Sequence, residues 1–156
     1  GLSNAATVRA GRAHGAGDAQ GLRDGAKAAI GLSVLIGLVN IVLMVVFATP
    51  IIGVFLDMAK PASGDILAYG VMLLMFAALF QMADAMQVMA LGLLRGMHDT
   101  RVPMIMATVS YWIIGMPAGY LLGFTLGLGG GGLWLGLVIG LTFAAVTMMW
   151  RFWRRA

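Results

Sequence analysis

Three long stretches of the chain carry almost no charge. Ala28–Leu56 lies between Lys27 and Asp57, Ile66–Leu94 between Asp65 and Arg95, and Val102–Trp150 between Arg101 and Arg151. A helix needs about 20 predominantly apolar residues to cross a hydrocarbon core of about 30 Å. The first two runs each predict one such span. The third would be roughly 74 Å long as a single helix rising about 1.5 Å per residue. It therefore predicts two spans, broken at the glycine cluster Gly127–Gly132. Four spans result, at about residues 28–54, 66–94, 102–124 and 133–150. Gly1–Gly17 reads as the tail of a helix already under way, and with Gly rather than Met first, the chain reads as a piece of a longer one. Residues 1–27 are then the end of a preceding helix and a loop, and 28–156 the membrane bundle.

Local chemistry agrees with these limits. Pro61, Ser63 and Gly64 are turn residues, and Asp65 suits a helix N-terminus, where negative charge is favoured. Asp99 and Thr100 suit the cap of the third span, with Pro103 in its first turn. Pro50 suits a boundary adjustment at the end of the first.

Composition makes the membrane reading firm. Hydrophobic residues are 61 % of the chain and charged residues 10 %, against about 25 % charged in soluble domains. The net charge of +4 matters through its placement, and nucleic acid is not among the expected partners. Arg9, Arg12, Arg23, Lys27, Arg95, Arg101, Arg151, Arg154 and Arg155 fall on one side of the predicted spans and only Lys60 on the other. By the positive-inside rule the first side is cytoplasmic, C-terminus included. The expected location is a plasma membrane, in a bacterium the inner one. The absence of cysteine and of glutamate removes thiolate metal sites and HExxH-type zinc chemistry. No cofactor is expected.

One polar position stands out. Asp84 is the only charged residue inside Ile66–Leu94. A carboxylate near the bilayer centre costs roughly 2.5–3.5 kcal/mol on insertion scales, and such residues usually face a bundle interior or a water-filled cavity and handle ions or protons. Eleven residues separate Asp84 from Arg95, roughly 16 Å along a helix, which is about half the hydrocarbon thickness. Gln81 and Gln87, three residues either side, extend it into a polar stripe. Asn40 in the first span and Tyr111 in the third are further candidates to line a cavity, although interhelical bonding and packing also account for them.

Gly115, Gly119, Gly123 and Gly127 recur every four residues, as do Gly132, Gly136 and Gly140. Such stripes let helix backbones approach closely, so the last two spans are expected to pack as a tight hairpin. Pro117 predicts a kink inside the third span, as a static bend or as a hinge beside a cavity. GRAHGAGD at 11–18 lacks the GK[ST] of a phosphate loop and follows no strand. His14 and His98 read as solvated loop residues, and the 13 methionines as packing or lipid-facing residues.

The motifs FQMADAMQVMALGLLRGMHDTRVP (Phe80–Pro103), YWIIGMPAGYLL (Tyr111–Leu122) and GGLWLG (Gly131–Gly136) resemble the C-terminal half of multidrug and toxic compound extrusion (MATE) transporters of the NorM-like branch. TVRAGRAHGAGD (Thr7–Asp18) is similar to the end of that family's eighth helix. The resemblance implies an all-α integral membrane fold. Four complete transmembrane helices and the end of a preceding one would form part of a twelve-helix, two-lobe structure. It implies a secondary antiporter, not an enzyme, that exports organic, often cationic, compounds in exchange for sodium or protons. Asp84 matches the carboxylate of the family's tenth helix, which takes part in binding the coupling ion; it would be a metal ligand only under sodium coupling. Gln81, Gln87, Tyr111, Asn40 and Pro117 would line the substrate cavity. The family's other coupling carboxylates would lie upstream of Gly1, so the N-terminal lobe of the same polypeptide is an expected partner, beside the substrate and membrane lipid. Alternatives are a truncated structural bundle that transports nothing alone and a flippase for lipid-linked precursors. The flippase would call for several cations within the spans.

Overall fold

The computed structural model of the chain describes residues 1–55 and 63–156. Asp57, Lys60 and Pro61 of the predicted outer loop lie outside the described residues. Everything with regular structure in the described part is helical. α1 is Leu2–Gly15, α2 Ala19–Val46, α3 Ala48–Gly53 and α4 Ser63–Gly96. A composite third span, Arg101–Thr125, joins α5 (Arg101–Val109) and α6 (Met116–Tyr120). α7 is Gly129–Arg155. Four of these elements are long and apolar enough to cross a membrane: α2, α4, the third span and α7.

The first span differs from the expectation at both ends, for identifiable reasons. Residues 19–27, expected in a loop, are helical. Asp18 caps α2 by accepting a hydrogen bond from the Gly21 N–H at 2.8 Å, so the helix starts ahead of its apolar run. Its charged first turns are tied by an Asp24–Lys27 pair at 3.7 Å. At the far end α2 stops at Val46, and Phe47 separates it from α3. Pro50 has no N–H for the Val46 carbonyl, and its ring would collide with that carbonyl in a continuous helix.

The elements share two ends. At one, Gly96 at the end of α4 packs on Thr7, Ala10 and Gly11 of α1. His14, Asp18 and Leu22 line one hollow there with Arg155 and Ala156. At the other, Gly70 of α4 meets Ile52 of α3, and Gly130 of α7 meets Tyr69. Every described lysine and arginine belongs to the first end or to the helix turns next to it.

The buried core gathers toward that cationic end. Met89, Leu93 and Leu94 of α4 interlock with Met148 and Phe152 of α7 and with Ala6, Ala10, Leu22 and Ala26 of α1 and α2, Phe152 being fully buried. Small residues let α1 lie close on α4. The Ser3 and Thr7 hydroxyls donate to the carbonyls of Val88 at 3.1 Å and Gly92 at 2.9 Å. Toward the other end the bundle opens, and Leu35, Val42, Val46 and Phe47 are exposed. In a protein whose solvent is partly lipid, such a surface needs no further cover.

The last two spans form the expected close hairpin. A Cβ on Gly136 would overlap the Gly119 backbone, and one on Gly132 would overlap that of Leu122. Gly140 approaches Gly115 so nearly that an added Cβ would lie 3.0 Å from its Cα. The turn between the spans is built by Gly127 and Gly129, at φ of 69° and 56°, values glycine adopts without steric cost. Helix α7 starts within the cluster, so Gly130–Gly132 are helical and bring Phe76 of α4 over Gly131. Two wide π-helical turns, Ser110–Gly115 and Leu121–Thr125, flank the Pro117 segment. Such π-type adjustments are one way a membrane helix re-satisfies the backbone groups that an interior proline frees.

Candidate functional site

Asp84 is reached from the middle of α4, about twelve residues before the helix ends at Gly96. It is exposed in the described chain, while Gln87, one turn on, is buried at 7 % exposure. The Tyr111 phenol, in the first wide turn of the third span, lies beside the Gln87 side chain and within the field of Asp84. Three of the residues singled out from sequence therefore converge: a carboxylate, an amide and a phenol from two neighbouring spans. Gln81 is half-buried on the same side of α4.

The wide turn is part of this geometry. Ser110 is fully buried, and its hydroxyl donates to the Met106 carbonyl at 2.6 Å. It holds the backbone where the third span presses on Gly140 and so fixes the register from which Tyr111 projects. One turn before Asp84, on the other side from Gln87, Phe80 and Trp134 meet edge to face with ring centroids 5.5 Å apart, bracing α4 against α7.

Two expected cavity residues stand elsewhere. Asn40 is exposed and lines a hollow with Leu43, Phe47, Pro50 and Val54, all on α2, α3 and the residues beside them. No residue of α4 shares that hollow, because α2 turns its Gly37 side, not Asn40, toward Met82. Pro117 is exposed and takes no part in the hollow formed by Tyr111, Trp112, Gly115 and Leu137.

Asp99 was expected to cap the third span, and the structure corrects this. Thr100 stands at the cap position without a side-chain bond. The Asp99 carboxylate, 8 % exposed, instead accepts from Arg151 Nε at 2.6 Å and Arg155 at 3.1 Å. The sequence does carry a hint: one acid among cations at Arg95–Arg101, facing three arginines at 151–155. His98 beside it adopts a φ of 59°, which turns the chain and delivers Asp99 toward α7. The described residues contain no group of three acidic or histidine side chains that could hold a metal ion.

Comparison with known proteins places this geometry in context. The sequence pattern of the MatE family matches residues 1–121. A probable multidrug resistance protein NorM of Mesorhizobium japonicum is 46 % identical over 99 % of the chain. Those of Rhizobium meliloti and Synechocystis are 40 % and 41 % identical over 99 % and 97 % of it. The chain spans about a third of the length of each of these relatives, 33 %. The solved inward-facing structure of a MATE family transporter of the MOP superfamily superposes with a TM-score of 0.84 over 98 % of the chain, at 20 % identity and over 34 % of that protein. At that identity the likeness speaks for the fold.

Proposed function

The chain belongs to the MatE family, and on that premise we propose that it forms the C-terminal part of a secondary antiporter that exports organic compounds, with Asp84 as its coupling carboxylate. The observation that carries this reading is the convergence of Asp84, Gln87 and Tyr111 in mid-span, on a side of α4 that the rest of this chain leaves open. An ionised group there is stable only against water, an ion or further protein. The chain's relatives are roughly three times its length, which supplies the protein to complete a cavity.

Asp84 binds the driving cation or proton. Gln87 and Tyr111 hold a polar wall beside it, and Gln81 continues that wall along α4. Export proceeds by alternating access, two lobes rocking about a site near the midplane. The driving ion and the substrate must favour different states of the carboxylate for one to move the other. The cationic end, with the C-terminus, faces the cytoplasm of the inner membrane.

The test is Asp84→Asn in the full-length protein, reconstituted in vesicles under sodium and proton gradients in turn. Asparagine keeps the shape and removes the titratable charge. Insertion and substrate binding in detergent are expected to persist, while gradient-driven export is lost. Export at the parental rate under the same gradient would sink the assignment.

A further inference from the structure

The opposite side of α4 carries a feature that the coupling site does not use. Met82 and Met86 each lie two residues from Asp84, about 200° around the helix at 3.6 residues per turn. They form one wall of a groove of about 410 Å³. Val138, Val146 and Met149 of α7 form the other, and the groove closes on Trp150.

Its position and length suit the bilayer. The groove is open in the described chain, and its walls of Met82, Met86, Val138, Val146 and Met149 are apolar throughout, as a surface against acyl chains must be. From Val138 to Trp150, α7 advances about 18 Å, close to the depth of one leaflet of a core about 30 Å thick. At the cationic end the groove meets a specific charge. The Arg154 guanidinium lies 4.7 Å over the Trp150 ring, an arrangement that holds it at the level of the membrane interface. Arg151 and Arg155 are taken by Asp99. Arg154 is exposed and has no carboxylate partner among the described residues.

We propose that this groove binds an anionic phospholipid of the leaflet at the cationic end. One acyl chain lies between Met82 and Met86 on one side and Val146 and Met149 on the other. The flexible thioethers adapt to the chain, and the phosphate accepts charge-assisted hydrogen bonds from Arg154. The site is independent of what the protein transports.

The experiment uses the full-length protein in mild detergent, with native mass spectrometry after addition of phosphatidylglycerol or phosphatidylcholine of matched chains. The parent is expected to retain phosphatidylglycerol in preference. Arg154→Gln, at an exposed position, should lower that retention about fivefold and leave phosphatidylcholine unchanged. Val146→Trp, which fills the groove from an exposed position, should lower both lipids; Thr142→Trp replaces it if the first variant does not yield monodisperse protein. Equal retention of the two lipids by the parent, or retention untouched by either kind of variant, overturns the proposal. An upstream segment or a second copy seated in the groove would give that second result.

Discussion

Two aspartates in this chain have opposite fates, and their surroundings explain the difference. Asp84 is set in a span with an amide and a phenol for neighbours, and its carboxylate is exposed with no salt-bridge partner among the described residues. Asp99 is buried between two arginines, so its charge is already neutralised. Asp99→Asn should therefore act on stability: it leaves Arg151 without its acceptor and weakens the junction of α4, the third span and α7. Hydrogen bonds to charged groups contribute about 1.5–3 kcal/mol, and a loss of that order should appear as a lower unfolding temperature of the detergent-solubilised full-length protein. Unchanged unfolding would mean that Arg151 and Arg155 find other acceptors. Asp84→Asn should leave the same unfolding temperature level or higher. The isolation of Asp84 in its span was legible in the sequence because it is a property of neighbours along the chain. The pairing of Asp99 was not, because its partners lie 52 and 56 residues away and a local cap explained the same residue equally well.

At the level of helices, the glycine stripes announced a close approach but not which member of each pair requires it. The structure separates them. A Cβ on Gly136 runs into the Gly119 backbone, whereas one on Gly119 meets its nearest atom, the Leu133 carbonyl oxygen, at 3.7 Å, an ordinary contact. Gly136→Ala is thus expected to destabilise the hairpin by about 1–3 kcal/mol. Gly119→Ala should be nearly silent, as should Gly31→Ala, where an added Cβ meets nothing within 4 Å. Thermal unfolding of the three variants side by side checks this, and equal losses at Gly136 and Gly119 would contradict the packing described. The four spans were legible for the same reason as the stripes, since hydropathy and glycine periodicity are repeated signals. The helical start at Ala19 and the wide turns around Pro117 were not. The first depends on one cap by Asp18 and the second on how a backbone yields to a ring, and neither leaves a period in the sequence.

For the molecule as a whole, the arrangement of cations predicts sidedness. Single cysteines at Thr100, beside the cationic loop, and at Leu128, in the glycine turn, should label from the cytoplasm and from outside respectively in a cysteine-free full-length protein. Labelling of both from one side would contradict the four-span topology. Residues 1–156 expressed alone should insert yet confer no drug efflux, because the open side of Asp84 then has no second wall; gradient-driven export by this segment in vesicles would refute the division of labour. The arginine clasp also has a consequence for biogenesis. Asp99 is synthesised 52 residues before Arg151, so a nascent chain carries that carboxylate without its arginine partners until the last turns of α7 are made. A polypeptide that ends within α7 before Arg151 leaves the Asp99 carboxylate without either of its guanidinium partners, so the junction of α4, the third span and α7 closes last.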